Sequence, residues 1–182
     1  MKTLQYLTLS AIIALSMLVS AQADEAAENE KLAKDVQTAL SSLKAKDSSF
    51  EKTLKKVHGY VIYPRVGKGG FIVGGAGGSG EVYEGGKLVG RAKLSQGTIG
   101  AQIGGQVFTE VILFENKEAM NRFKQSVWEM NAQISAVAAA EGVSDNAKFS
   151  GGVAIITLPV GGLMAEASVG GQKLTFIPLE KK

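Results

Sequence analysis

Tyr60-Val61-Ile62-Tyr63-Pro64-Arg65-Val66-Gly67-Lys68-Gly69-Gly70-Phe71-Ile72-Val73-Gly74-Gly75 is the stretch that decides the fold. β-Branched and aromatic residues fill both of its ends, a proline closes the first run, and glycines separate it from the second. That pattern predicts short strands joined by tight turns. Outward from it, the pairs Gly77-Gly78, Gly85-Gly86 and Gly104-Gly105 bracket Glu81-Val82-Tyr83 and Leu88-Val89, read as further strands. From Thr98 to Gly104, Ile99, Ala101 and Ile103 share one face of a strand, with Gly100, Gln102 and Gly104 on the other. Val107 to Phe114 is apolar on both faces apart from Thr109 and Glu110, as a central strand would be. Later glycine pairs bracket Val153–Leu158, Leu163–Val169 and Lys173–Ile177, which read as a meander of adjacent hairpins.

All 23 glycines lie between Gly59 and Gly171, and residues 24–58 hold neither glycine nor proline. The shift divides a helical head, 24–58, from a β-rich body, 59–182. In the head, Leu32, Val36, Ala39, Leu40 and Leu43 recur at helical spacing. Ser48-Ser49-Phe50-Glu51 offers a capping box for a second helix with Phe50, Leu54 and Val57 on one face. One helix interrupts the body, with Asn116 as its cap, Ala119, Met120, Phe123 and Val127 as its buried face, and Glu118 paired with Arg122. Gln133 to Ala140 reads as a strand from the alternation of Ile134, Ala136 and Ala138. The expected class is α+β: a Gly-rich antiparallel β body, barrel-like or sandwiched, with N-terminal amphipathic helices and one inserted helix.

Composition excludes several chemistries. The chain has 182 residues, no cysteine and one histidine. Disulfides, thiol nucleophiles, thiolate metal sites and lipid attachment through cysteine are therefore excluded, and so is any metal site that needs two imidazoles. Lys2, the apolar run Leu7 to Val19, and Ala21-Gln22-Ala23 read as a secretory signal over residues 1–23, cleaved to leave 24–182 as a single exported domain, periplasmic or secreted. Removing the signal takes away one lysine and leaves nineteen basic against seventeen acidic residues. That balance gives no field for nucleic acid.

Catalytic motifs fail their context tests. Gly75-Ala76-Gly77-Gly78-Ser79-Gly80 fits G-x-G-x-x-G, but Glu81-Val82-Tyr83-Glu84-Gly85-Gly86 follows where a dinucleotide fold needs a helix. His58 sits at an expected helix end, where its natural role is to meet free carbonyls, and no nucleophile lies near it. Glu81 and Glu84 should point to opposite faces of a strand. The expectation is a protein that is not an enzyme and carries no cofactor or metal.

The positive signal is electrostatic. Residues 44–68 carry Lys44, Lys46, Lys52, Lys55, Lys56, Arg65 and Lys68 against Asp47 and Glu51. On the second helix Lys52, Lys55 and Lys56 lie opposite Phe50, Leu54 and Val57. A basic amphipathic helix can lie on an anionic lipid surface, each cation contributing about 1 kcal/mol. The same pattern also suits a helix packed on the body with its lysines solvated. Those seven residues are the candidate lipid-binding set, and peripheral attachment to an anionic phospholipid membrane is the leading reading. The alternative is an envelope protein-interaction or scaffold module with a protein partner. A small outer-membrane barrel fits less well, because Val107 to Phe114 and the helix after Asn116 do not belong in one.

Lys56-Val57-His58-Gly59, continued by the opening stretch to Gly75, resembles the start of the SYLF lipid-binding domain family. Gly97-Thr98-Ile99-Gly100-Ala101-Gln102-Ile103-Gly104-Gly105-Gln106 running into Val111-Ile112-Leu113-Phe114 matches a second block, and the terminal Gly-Gly-Leu and Ser-Val-Gly-Gly hairpins a third. The resemblance spans roughly residues 30–178, on motifs of glycines and apolar strands. It implies acidic phospholipid binding aided by an N-terminal amphipathic helix, with phosphoinositides and actin as ligands of some eukaryotic members. Residue by residue it carries over only to the basic head helices and to Tyr63-Pro64-Arg65 through Lys68. The chain departs from the pattern in its export signal, in Trp128 placed after the helix, and in lacking an aromatic-Pro segment before Gln96. An exported domain would meet generic anionic lipid rather than phosphoinositide or actin.

Overall fold

β1 runs without a break from Gly59 to Gly70 in a computed structural model of the chain. The structure describes residues 2–70, 73–99, 106–125, 128–129, 136–160 and 171–179, with the side chains of 2–21, 68–70, 73–74, 97–99, 106 and 128–129 outside the description. The remaining elements are helices α1 (Lys2–Lys46), α2 (Phe50–Lys56) and α3 (Lys117–Lys124), and strands β2 (Val73–Glu84), β3 (Lys87–Ile99), β4 (Gln106–Phe114), β5 (Trp128–Glu129), β6 (Ala136–Ala138), β7 (Val153–Pro159) and β8 (Gln172–Pro178). The strands form one sheet in the order β5-β8-β3-β2-β1-β4-β7-β6. All pairs are antiparallel except β6 with β7. The fold is therefore α+β, with α3 inserted between strands. Among the described residues no hydrogen bonds join the two edges, so the sheet is not closed into a barrel.

The chain divides into two compact units, Met1–Lys34 and Asp35–Lys182. The first is helical, with an exposed Glu30–Lys34 ion pair at 2.6 Å. Most of the expected export signal falls on side chains outside the described ones. Among the described residues no helix is long and apolar enough to cross a membrane, which says nothing of strands.

In the second unit, glycine does two jobs, one of them expected. Gly85-Gly86, with φ of 55° and 76°, makes the two-residue turn from β2 to β3, and Gly151-Gly152, with φ of 59° and 79°, makes another between Ser150 and Val153 at the start of β7. Gly74-Gly75 and Gly77-Gly78 lie within the long β2, and Gly69-Gly70 closes an equally long β1, instead of bounding short strands. At Gly80 a Cβ would stand 2.6 Å from the Ile62 carbonyl oxygen and 2.7 Å from Tyr63 Cδ1. Turns and close backbone approach both select glycine, and in β2 the second cause applies. The G-x-G-x-x-G stretch thus lies within β2. Pro64, which has no N–H to give a ladder, marks a bulge: the register of β1 shifts between Ile62 and Gly67 against β2, and between Tyr63 and Val66 against β4.

One face of the sheet wraps the main core. Val61, Tyr63, Ala92, Leu94, Phe108, Ile112, Phe114 and Leu174 meet Met120 and Phe123 of α3 there, all buried. Phe123 stacks on Phe114 with ring centroids 5.0 Å apart and meets Phe176 of β8 edge-on at 5.9 Å. Three strands separate β8 from β4, so the sheet curls around α3. Asn116 caps α3 as expected, its Oδ1 accepting from Ala119 N at 3.0 Å, and Glu118 pairs with Arg122 at 3.4 Å. Val127 lies outside the described residues.

The other face is buried over β1, β4 and β7 at Tyr60, Ile62, Val111, Leu113, Ala154 and Ile156. Hollows shared by Ala39 of α1 with Thr109 and Leu158, and by Leu54 of α2 with Tyr60, set the head helices over this face. Two covered faces explain why β4 reads as apolar throughout. At the C-terminal end β7 pairs with β4 and β6, while β8 pairs with β3 and β5, so these two strands of the expected terminal meander are not neighbours of each other. Its middle strand, Leu163–Val169, and residues 100–104 lie outside the described residues. Of the strand expected over 133–140, residues 136–138 form β6.

Candidate functional site

The corner between α1 and α2 is built on Asp47, which is buried. Its Oδ1 accepts from Ser49 N at 3.0 Å, Ser49 Oγ at 2.6 Å and Gly142 N at 3.1 Å. Its Oδ2 accepts from Ser144 N at 2.8 Å and Ser144 Oγ at 2.6 Å. Burial alone would push this carboxyl up, but the bonds from Ser144 and Ser49 hold it at about 2. The capping box expected at Ser48 to Glu51 does not form. Ser49 precedes α2 with helical φ and ψ and makes no side-chain cap. Ser48 instead bonds Glu141, through N at 3.1 Å and through Oγ, and Glu51 is occupied by lysines. Asp47 takes the serines because it also binds the 142–144 loop, a satisfaction that a local cap cannot match.

Phe50 and Thr53 of α2 are buried. The opposite side presents Glu51, Lys52, Lys55 and Lys56, and Lys44 of α1 reaches the same carboxylate as Lys55. Glu51 lies 3.0 Å from Lys55 Nζ and 3.2 Å from Lys44 Nζ; Asp145 lies 2.6 Å from Lys56 Nζ and 3.8 Å from Lys52 Nζ. The four lysine side chains are 44–74% exposed. Lys55 and Lys44 draw the Glu51 carboxyl below its usual range, and Lys56 with Lys52 does the same to Asp145. Four cations thus share the two carboxylates of this face, an excess of two, while Asp47 and Glu141 lie at its corner with Ser49 and Ser48.

The remaining candidates do not all join that face. Lys46 is exposed at the end of α1. Arg65 is exposed at the β1 bulge, where it lines a hollow of about 270 Å³ with Asp35, Ser42 and Pro159. Lys44 and Lys55 line a different hollow, of about 420 Å³, with Leu40, Leu54 and Tyr60. Six strand residues at ~3.3 Å each carry Arg65 ~20 Å along β1 from Gly59. The side chain of Lys68, farther along the strand, lies outside the described residues. Proximity in sequence suggested one cluster of seven; an extended strand spreads what a helix would gather.

Two buried or half-buried groups have partners that the sequence reading did not assign. His58 meets Glu84 Oε1 through Nε2 at 3.0 Å rather than capping helix carbonyls, and Lys124 holds the other Glu84 oxygen. This ties the end of α3 to the β2 end and the start of β1. Inside the curl, Glu110 of β4 is fully buried and Gln172 Nε2 of β8 donates to its Oε2 at 2.9 Å. Burial pushes the Glu110 carboxyl up to about 7 and the Tyr63 hydroxyl well above its ordinary value. Glu110, the one charged residue of the largely apolar β4, was the available signal. Among the described residues no group of three or more His, Cys, Asp or Glu is arranged to hold a metal ion.

No protein-family profile matches the chain. It is similar to Beta cell expansion factor A of Aeromonas veronii, with 35% identity over 81 residues, 44% of this chain and 31% of that protein. The match spans about a third of the relative's length.

Proposed function

We propose that the chain is a non-enzymatic domain that docks peripherally on membranes containing anionic phospholipid, with the exposed face of α2 as its contact. The observation that carries the reading is the sharing of Glu51 and Asp145 among Lys44, Lys52, Lys55 and Lys56. Exposed ion pairs are worth about 0–1 kcal/mol, so a lipid phosphate can take over a lysine at little cost. Two excess cations on one face supply the attraction, with Lys46, exposed at the end of α1, as a further cation. The likeness to SYLF domains and the export signal belong to the same proposal. Arg65 and Lys68 are secondary contacts in it, farther along β1. Co-sedimentation with vesicles tests it: Lys52, Lys55 and Lys56 changed together to Glu should abolish binding to anionic vesicles, and undiminished binding would remove α2 as the contact.

A further inference from the structure

Beside the lysine face lies a hollow of about 330 Å³, between the β6 edge and the loop that carries Asp145. Ala154 and Ile156 of β7 form its floor, with Val137 of β6, Val143 and Ala147 on its walls. Val137 is 48% exposed, an apolar side chain in water next to an apolar recess. Lys148 is the one charged residue of the described lining, and it makes no ion pair among the described residues. Asp145, three residues before it, is where Lys52 and Lys56 converge. Ser144 is locked to Asp47, which fixes this loop against the start of α2.

We propose that this hollow seats one acyl chain of an anionic phospholipid, its phosphate held at the rim by Lys148 together with Lys52 and Lys56. Charge selects the occupant. The hollow beside Leu40 includes Glu51 and the one beside Arg65 includes Asp35, each of which opposes an anion, whereas no described carboxylate lines this one, and Asp145 at its rim already faces both Lys52 and Lys56. Its volume is near the lower end of small-ligand sites, ~300–1,000 Å³, which suits one chain rather than two. The headgroup half of the inference rests on the reading of the α2 face. The chain half is independent of it.

The test uses the full chain and dodecyl phosphate below its micelle-forming concentration, with inorganic phosphate in parallel, followed by calorimetry. Saturable binding of one dodecyl phosphate per chain is expected, with inorganic phosphate much weaker. Ala147→Trp, which fills the hollow, should weaken binding about tenfold or more. Val137→Gln, at an exposed position that the core does not use, should weaken it in the same direction and covers the case of a misfolded Trp variant. Equal binding of the two phosphates, or unchanged affinity in the folded variants, overturns the proposal. Vesicle binding separates the two readings. Dodecyl phosphate binding lost while anionic vesicles still bind in a lysine-dependent way refutes the hollow alone. Dodecyl phosphate binding retained while vesicle binding ignores Lys52, Lys55 and Lys56 refutes the α2 face alone.

Discussion

Gln172 of β8 donates a hydrogen bond to Glu110 of β4 at 2.9 Å although three strands lie between them in the sheet. Only the curl of the sheet brings the two side chains together across the interior. Gln172 satisfies one carboxylate oxygen; Glu110 Oε1 and the hydroxyl of its cross-strand neighbour Tyr63 have no hydrogen-bond partner among the described residues. The interior therefore favours the protonated acid, and its pKa rises to about 7. A folded value above the unfolded one means that stability is greatest below about pH 4.3, declines as pH rises, and levels off above about 7. The full decline is about 3 kcal/mol. Urea midpoints of the wild type should fall between pH 5 and pH 8, while Glu110→Gln should lose that slope. Parallel slopes for the two proteins would place the ionisation elsewhere.

Asp47 titrates in the opposite sense. Its folded pKa, about 2, lies below the unfolded carboxyl value, so its stabilisation is complete above about pH 4 and is lost as pH falls through about 2. That term is about 2 kcal/mol. Replacing Asp47 with Ala would strand donors from Ser49, Gly142 and Ser144 in a buried corner, at a cost of about 3 kcal/mol. Thermal denaturation at neutral pH should show the loss, and the variant should lack the acid limb. A melting temperature within a degree or so of wild type would contradict the role given to this corner.

Two glycines should respond in opposite ways to the same added methyl group. At Gly90 a Cβ would stand 2.6 Å from the Ile177 carbonyl oxygen and 2.8 Å from Phe176 Cζ. Gly90→Ala must push β8 away and should cost about 1–3 kcal/mol. At Gly67 nothing lies within 4 Å, and Gly67→Ala should be neutral or stabilise by up to about 1 kcal/mol. Chemical denaturation of the two variants side by side tests this, and equal effects would refute close approach as the reason for Gly90.

The sequence was most legible where one local cause acts. Asn116 and the apolar positions of α3 announce a capped helix, and the unbroken apolar run of β4 announces a strand covered on both sides. Glycine was read correctly at the turns Gly85-Gly86 and Gly151-Gly152 and misread in β2, because turns and tight strand contacts select the same residue; Gly85-Gly86 and Gly80 look alike in one dimension and differ in their neighbours. The lysines of α2 were visible as a run, but their partner Asp145 stands about ninety residues away, so the sharing of charge was not. Glu110 could be seen as odd in its strand, while Gln172, 62 residues on, could not be assigned to it. Arg65 and Lys68 were grouped with the helix lysines by sequence distance, which an extended strand does not preserve.

Attachment to a negatively charged lipid surface is measured most directly by the fraction of the wild-type chain that sediments with vesicles as anionic lipid replaces zwitterionic lipid, at low and at high salt. Binding should rise steeply with anionic content and weaken at high salt, as exposed cations facing phosphates require. Binding that is absent at every composition, or indifferent to the charge of the vesicles, would contradict the account.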